Sequence, residues 1–513
     1  MTSIHTISPV TNWEIQTTPE TTWTDLVGSI LPASVSSQIQ WAANPLSTRE
    51  KVLLAFADLL EAAAAINPQD PPAGTSQIPP NLSLLMGRPS KYYAAELKTA
   101  ALRTRTLVAY AASALAPVAA NHDVSDTTTL KFEYANPEDP SGPQFKKYLT
   151  REALGTVLIV FPWNYPYLTL VNALVPALLA GNAVILKPSP QIPAVATFVI
   201  DLLTQAGLPA GVAQVVQAGP PDIVTRLIKE RQEIKAVAFI GSVEGGLSIQ
   251  KAAADAGRLI PINLELGGND GAYVRADIGS KTSADLAKIA DDIVDGALFN
   301  SGQSCCAIER VYVHESIWKP FVDAVVAIVK SYKVGDPRSP QVAMGPVVSA
   351  ASAKRIRAQV SEAIETGNGK LLVSDADFAY TTATDGESTG TPPPAFVAPQ
   401  VVAFESPSNC TLLKDETFGP VVPLVKVSSD EEAISLINDD KYGLTASVWT
   451  FDESAGEELA NKLEAGTVFV NRADYPDPKL AWTGHKMSGR AVTLSRFGFD
   501  GFTKLKSHHV KKL

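Results

Sequence analysis

Between residues 154 and 266, short apolar runs alternate with longer amphipathic stretches. LGTVLIVF (154–161), NAVILKPS (182–189), VAQVVQ (212–217), IKAVAFIG (234–241) and IPINLEL (260–266) are rich in β-branched residues and predict five strands. LTLVNALVPALLAG, PAVATFVIDLLTQAG, PDIVTRLIKER and VEGGLSIQKAAADAG fall between them and predict four helices, the first two closed by Gly181 and Gly207. The strands lack a polar face, as expected when helices cover both sides of a parallel sheet. The pattern is that of a doubly wound α/β domain, with a ligand cleft at the carboxyl ends of its strands.

Around this unit the pattern is coarser. Leu46 to Ile66 predicts one amphipathic helix with Ser47 or Thr48 as N-cap. NPQDPPAGTSQIPP (67–80) holds five prolines and reads as an extended surface loop. A second helix is expected over Lys91 to Ala116, and another over 283 to 300. After it RVYVHE is a strand, and alternation continues to about residue 471, which predicts a second α/β domain. The Thr-, Ser-, Gly- and Pro-rich stretch 375–395 reads as a surface insertion.

Composition narrows the partners. The chain is 45% hydrophobic and 19% charged, with net charge −10 and no block of like charge, which argues against nucleic acid or an anionic membrane. The greasiest run, Leu168 to Leu186, is broken by Asn172, Pro176, Gly181 and Asn182 and is too interrupted to span a bilayer. The first twenty residues have neither a basic nor an apolar signal region. Three cysteines make no disulfide framework, so a reducing, cytoplasmic location is expected. The C-terminal Lys511-Lys512-Leu513, one residue from a Ser-Lys-Leu signal, leaves the peroxisome as the alternative.

The candidate chemistry is sparse. No GxGxxG follows any strand, and the nearest phosphate-binding loop is Phe239-Ile240-Gly241-Ser242, at a strand end before a helix. Cys305 and Cys306 stand side by side in FNSGQSCCAIER. An adjacent pair is compatible with core packing, a metal site or a nucleophile and its neighbour. The six histidines are scattered, with no HxxxH and no CxxC, which argues against metal. Cys410 reads as packing.

Four motifs set in order decide between these readings: PWNYP (162–166), LELGG (264–268), FNSGQSCCA (299–307) and ETFGP (416–420). With weaker matches at ILKPS (185–189), FIGS (239–242), GTVFVN (466–471) and KMSG (486–489), the chain resembles the aldehyde dehydrogenase superfamily over nearly its whole length. The resemblance implies NAD(P)-dependent, hydrolytic oxidation of a small-molecule aldehyde. It assigns Cys305 as nucleophile, Glu265 as general base and Asn164 as oxyanion donor, with Cys306 lining the pocket. It also implies that Lys187 binds the adenosine ribose, Gly241 and Ser242 the pyrophosphate, and Glu416 and Phe418 the nicotinamide end, with Trp163 lining the cofactor site. The family's substrate tunnel falls at Tyr165, Thr169, Asn172, Phe299, Ser304, Cys306, Arg472 and Trp482, where Arg472 is a candidate partner for a substrate carboxylate.

One departure bears on the cofactor, NAD or NADP. Pro190 stands where many NAD-preferring members carry a ribose-binding glutamate, so a relaxed preference with NADP usable is expected. The implied architecture is a variant Rossmann cofactor domain (1–127 and 149–265), an α/β catalytic domain (266–485) and a small bridging β-sheet from a hairpin near 128–148 and the tail 486–513. Such a tail strand completes a partner's sheet, so a homodimer or homotetramer is expected. Two rivals remain: a CoA-acylating relative, against which Glu265 counts, and a catalytically retired homologue, against which the retention of Cys305, Glu265 and Asn164 counts.

Overall fold

The computed structural model describes residues 2–73, 75, 78–119, 130–219, 222–383 and 390–513. The two longest of the helices that precede the first large sheet are α1 (Leu46–Ala63) and α2 (Tyr93–Leu115). The N-cap of α1 differs from expectation: it is Pro45, with no side-chain cap, and Ser47 and Thr48 lie inside the first turn. The proline ring sets φ at −54°, ready for helix entry without a polar cap.

The chain then runs through β1 (Gln144–Ala153), β2 (Thr156–Phe161), α3 (Pro166–Leu179), β3 (Ala183–Pro188), α4 (Pro193–Gln205) and β4 (Ala213–Val215). It continues through α5 (Asp222–Glu230), β5 (Ile234–Ile240), α6 (Val243–Asp255) and β6 (Ile262–Glu265). Gly181 and Gly207 stand at φ +90° and +92° after α3 and α4, the left-handed turn that ends a helix. The five strands β2 to β6 form one parallel sheet in the order β6-β5-β2-β3-β4.

Alternate strand residues feed two separate cores. Val157, Ile159, Leu186 and Ala236 pack with α1 to α4, while Leu158, Ile185 and Val237 pack with α5 and α6. Burying each larger side chain contributes about 1.5–3 kcal/mol, which is why these strands carry no polar face.

A second sheet follows: β7 (Asp270–Val274), then α7 (Ser283–Leu298), β8 (Ile308–His314), β9 (Lys370–Val373), β10 (Gln400–Phe404), β11 (Val421–Val427), β12 (Thr445–Trp449) and β13 (Thr467–Val470). Its order is β9-β10-β11-β8-β7-β12-β13, parallel except for β9. The insertion expected at 375–395 is irregular beyond the turn Asp375–Asp377, and 384–389 lie outside the described residues.

The tail forms β14 (Thr503–Lys511), antiparallel to β1 from Thr503↔Ala153 to Lys511↔Phe145. Val118–Ala119 and Glu133–Tyr134 also pair with β1. Of the hairpin expected near 128–148, residues 128 and 129 lie outside the described residues, and strand pairing begins at Glu133↔Phe145. An N-terminal hairpin, Ser3–Ile7 with Glu14–Pro19, was not foreseen in the pattern. Among the described residues, no helix is long and apolar enough to cross a membrane.

Candidate active site

The carboxyl ends of β2, β5 and β6 face the loops around residues 299–306, 416–418 and 473–478 across a cavity of about 780 Å³. This one cavity is lined by Cys305, Glu265 and Asn164, by Trp163, Gly241, Ser242, Glu416 and Phe418, and by Tyr165, Thr169, Asn172, Phe299, Ser304, Cys306 and Trp482.

Cys305 is delivered by a tight turn after α7. Asn300, Ser301 and Gly302 take φ +55°, +59° and +68°, a left-handed run that two non-glycine residues tolerate only when held in place. The holding contacts are buried. Ser301 Oγ donates to Gly345 O (2.9 Å), Gln303 Nε2 to Asn300 O (3.1 Å), and Val348 N to Gln303 Oε1 (2.7 Å). On the other side Gly268 of LELGG approaches so closely that a Cβ there would sit 2.3 Å from Cys305 O. Only glycine lets this backbone pass.

Asn164 sits at the turn between β2 and α3. Its Nδ2 donates to Gln303 O (3.2 Å), which aims the amide toward the cysteine loop, and its own carbonyl accepts from Asn300 Nδ2 (3.2 Å) and from Arg88 Nη2. Arg88 in turn pairs with Glu96, whose Oε1 accepts Tyr167 N at the start of α3 (2.9 Å).

The carboxyl groups are tuned by burial. Glu265, at the end of β6, is pushed up to about 7 by desolvation, against the lowering influence of the Thr493 hydroxyl and the Arg103 charge. Glu416 is likewise raised by burial to about 7, and its Oε1 accepts Gly268 N (2.9 Å). Asp474 is raised by burial to about 7 and accepts hydrogen bonds from Ser304 Oγ (3.0 Å) and Cys306 Sγ (2.9 Å). The Cys306 thiol is held well above its usual range by its contact with Cys305, by burial and by the charge of Asp474. Cys306 is buried and proton-bearing, whereas Cys305 is the partly exposed one of the pair.

A model of the aldehyde dehydrogenase family matches residues 85–508. The chain belongs to the aldehyde dehydrogenase family. With that membership comes its class, an NAD(P)-dependent oxidoreductase acting on the aldehyde group. It is 32% identical over 375 residues to the mitochondrial aldehyde dehydrogenase of Mesocricetus auratus, covering 72% of this chain and 70% of that one. It is 33% identical over 359 residues to the NADP/NAD-dependent aldehyde dehydrogenase PuuC of Escherichia coli, covering 70% and 68%. The solved structure of PnpE in complex with nicotinamide adenine dinucleotide superposes with a TM-score of 0.83 at 26% identity, covering 99% of this chain and 94% of that one. The NADP-dependent glyceraldehyde-3-phosphate dehydrogenase from Bacillus halodurans, complexed with NADP, gives 0.83 at 27% identity, covering 99% and 96%.

Three family positions lie outside the cavity lining. Lys187 is buried at the end of β3, where desolvation pulls its ammonium down to about 8 despite the charge of Glu20. Pro190 is tied to the N-terminal hairpin, its carbonyl accepting from Thr6 Oγ1 (3.3 Å). Arg472 is a correction: it is exposed, with its guanidinium 3.7 Å from the centre of the Tyr475 ring, and it does not line the cavity. Asp474, two residues further on, turns inward to Ser304 and Cys306.

Four contributors carry no sequence signal: the buried Arg88–Glu96 pair, Arg103, Asp474 and Glu309. Glu309 accepts Thr417 N (2.6 Å) and Phe418 N (2.8 Å), and so holds the loop in which Phe418 takes φ +49° and meets Trp163 edge-on at 5.7 Å.

Proposed function

We propose that the chain oxidises an aldehyde to the carboxylic acid with NAD or NADP, through a thiohemiacetal and then a thioester on Cys305. The observation that carries this reading is that Cys305, Glu265 and Asn164, from three different parts of the chain, line a single cavity.

The residues fit a dinucleotide. Ser242 caps the N-terminus of α6, with its Oγ accepting Gly245 N (3.2 Å), and the Gly241–Glu244 segment lines the cavity at the carboxyl end of β5. A helix N-terminus in that place favours a pyrophosphate. A Cβ at Gly267 would meet the Glu416 carboxylate within 2.7 Å, so the glycine leaves that carboxylate room beside the cofactor cleft. Trp163, Glu416 and Phe418 would hold the nicotinamide end, and Lys187 the adenosine end. Pro190 supplies neither a carboxylate to repel a 2′-phosphate nor an acceptor for ribose hydroxyls, which favours use of NADP as well as NAD.

The chemistry follows from the side chains. The Cys305 thiolate adds to the aldehyde carbon, and the oxygen takes the new charge. Asn164 Nδ2 and the Cys305 backbone N–H donate to that oxygen. When bound, NAD(P) supplies the hydride acceptor that converts the thiohemiacetal to the thioester. Glu265, poised near 7, takes a proton from the thiol in the first stage and from the attacking water in the second. Water then displaces the Cys305 sulfur, and the acid leaves. The presence of Glu265 in the cavity supports hydrolysis over acyl transfer to CoA.

At the level of architecture, we assign residues 1–127 and 149–265 to cofactor binding, 266–485 to catalysis, and 128–148 with 486–513 to a bridging sheet. β14 leaves Leu505 and Val510 exposed, which supports pairing into a homodimer or homotetramer.

The test is reduced-nicotinamide absorbance with NAD and NADP separately, across acetaldehyde, hexanal, benzaldehyde, 4-aminobutanal and succinic semialdehyde. Turnover is expected with at least one aldehyde, with NADP kcat/KM within about a thousandfold of NAD, and Cys305→Ala is expected to lose about 1000-fold or more. Equal turnover in Cys305→Ala overturns the reading.

A further inference from the structure

Arg103 lies on α2, is 4% exposed and lines the cavity, yet it has no ion-pair partner among the described residues. Its Nη1 donates to Asn172 Oδ1 (3.2 Å) and Leu168 O (3.4 Å), and its Nη2 to Pro476 O (3.3 Å). Every partner is neutral, and Nε has none among the described residues. Two other buried arginines have a counter-charge. Arg88 pairs with Glu96, and Arg310 with Asp440 (3.1 Å). Arg258 also has only neutral acceptors, the carbonyls of Ile228 (2.5 Å), Arg231 (2.9 Å) and Ile234, but it does not line the cavity.

A guanidinium taken out of water without a counter-charge is strongly disfavoured. Here it stays charged in a cavity wall, so the missing anion is one that a ligand brings. Nε is buried, and Nη2 has only Pro476 O as partner, which leaves it a second N–H for an anion in the cavity; a guanidinium is well matched to a carboxylate. The neighbouring wall suits the same group. Thr169 and Asn172 are polar, and Asn172, its oxygen engaged by the arginine, keeps its amide N–H groups as further donors.

The other charges facing the cavity do not fill this role. Glu96 is held by Arg88. Asp474 is committed to Ser304 and Cys306, and Glu265 acts on Arg103 only through space, with no hydrogen bond or ion pair between them among the described residues. Asp292 and Asp295 are exposed on α7, where salt screens them, and Asp292 already pairs with Lys288 (2.9 Å).

We infer that Arg103 recognises an anionic end of the substrate, and that the preferred substrates are aldehydes bearing a carboxylate at the end remote from the reacting carbon. The assignment moves the carboxylate-binding role from Arg472 to an arginine inside the cavity. It rests on aldehyde oxidation at Cys305, so the test has an arm independent of turnover.

In that arm, calorimetry measures glutarate against its neutral diamide. The wild type is expected to bind glutarate about tenfold or more tighter than the diamide, and Arg103→Gln to lose that preference. In the second arm, kcat/KM is measured for ω-oxo acids and for alkanals of matching length. The acid-over-alkanal ratio is expected to fall about 30-fold or more in Arg103→Gln, through KM, with partial recovery in Arg103→Lys. Alkanal turnover with no Arg103-dependent preference for acids in either arm overturns the anion site and leaves the oxidation standing. Arg103-dependent glutarate binding without turnover of any aldehyde keeps the site and removes the dehydrogenase reading. If Arg103→Gln fails to fold, the wild type's own preference and Arg103→Lys decide: a wild type indifferent to charge overturns the inference.

Discussion

Glu265 and Arg103 are both ionisable groups in one cavity, and burial governs each differently. The carboxyl of Glu265 responds by rising to about 7, so near neutrality it can both take and return a proton. A base must be ionised to act, so activity is lost as pH falls through about 7 and levels above it. Profiles of kcat/KM across the neutral range are expected to show this inflection in the wild type. In Glu265→Gln the inflection should vanish and the rate fall by about 100- to 10,000-fold. An unchanged inflection in Glu265→Gln would assign the titration to another group. The residues proposed as catalytic were legible because each sits in a motif. Arg103 was not, because its local sequence, ALRTRT, offers two arginines that look alike. Two positions apart on a helix, they face opposite ways: Arg105 reaches Asp58 and Glu61 at the surface, and Arg103 turns into the cavity. Arg472 shows the converse, a residue beside a functional loop that points to solvent.

At the scale of elements, the join between α2 and α3 matters most to the site. Arg88, just before α2, and Glu96, in its first turn, are both buried and pair with each other. Together they hold the carbonyl of Asn164 and the first turn of α3. Removing one partner leaves a buried charge, which costs about 3–5 kcal/mol. Denaturant unfolding of Glu96→Gln is expected to show a loss of that order, with kcat lowered because the Asn164 turn loosens. The double variant Arg88→Met, Glu96→Leu should lose less stability than Glu96→Gln. A Glu96→Gln protein as stable and as active as wild type would contradict this. The long periodic elements were legible at this scale, as all five strands of the first sheet demonstrate. The N-terminal hairpin was not. Few of its residues are buried, Ile4 and Thr6 among them, so its pattern resembled a polar tail. The start of α1 was misread because a proline replaced the polar cap that sequence patterns favour.

For the whole molecule, the cavity exists only because two sheets and their loops close on each other. β6 brings Glu265 from one sheet, α7 delivers Cys305 toward the other, and Gly268 lets the two backbones nearly touch. Two α/β units and a tail strand were legible as periodicity. Which side chains meet at their junction depends on topology, and only the motifs revealed part of it. In the proposed reaction the substrate's acyl group is carried on Cys305 rather than on its neighbour. Mass spectrometry of Glu265→Gln, mixed with an accepted aldehyde and dinucleotide and then acid-quenched, tests it most directly. An adduct of the aldehyde mass less two hydrogens is expected on Cys305, formed only with dinucleotide present and absent in Cys305→Ala. An adduct on Cys306, or an acyl adduct that persists in Cys305→Ala, would contradict it.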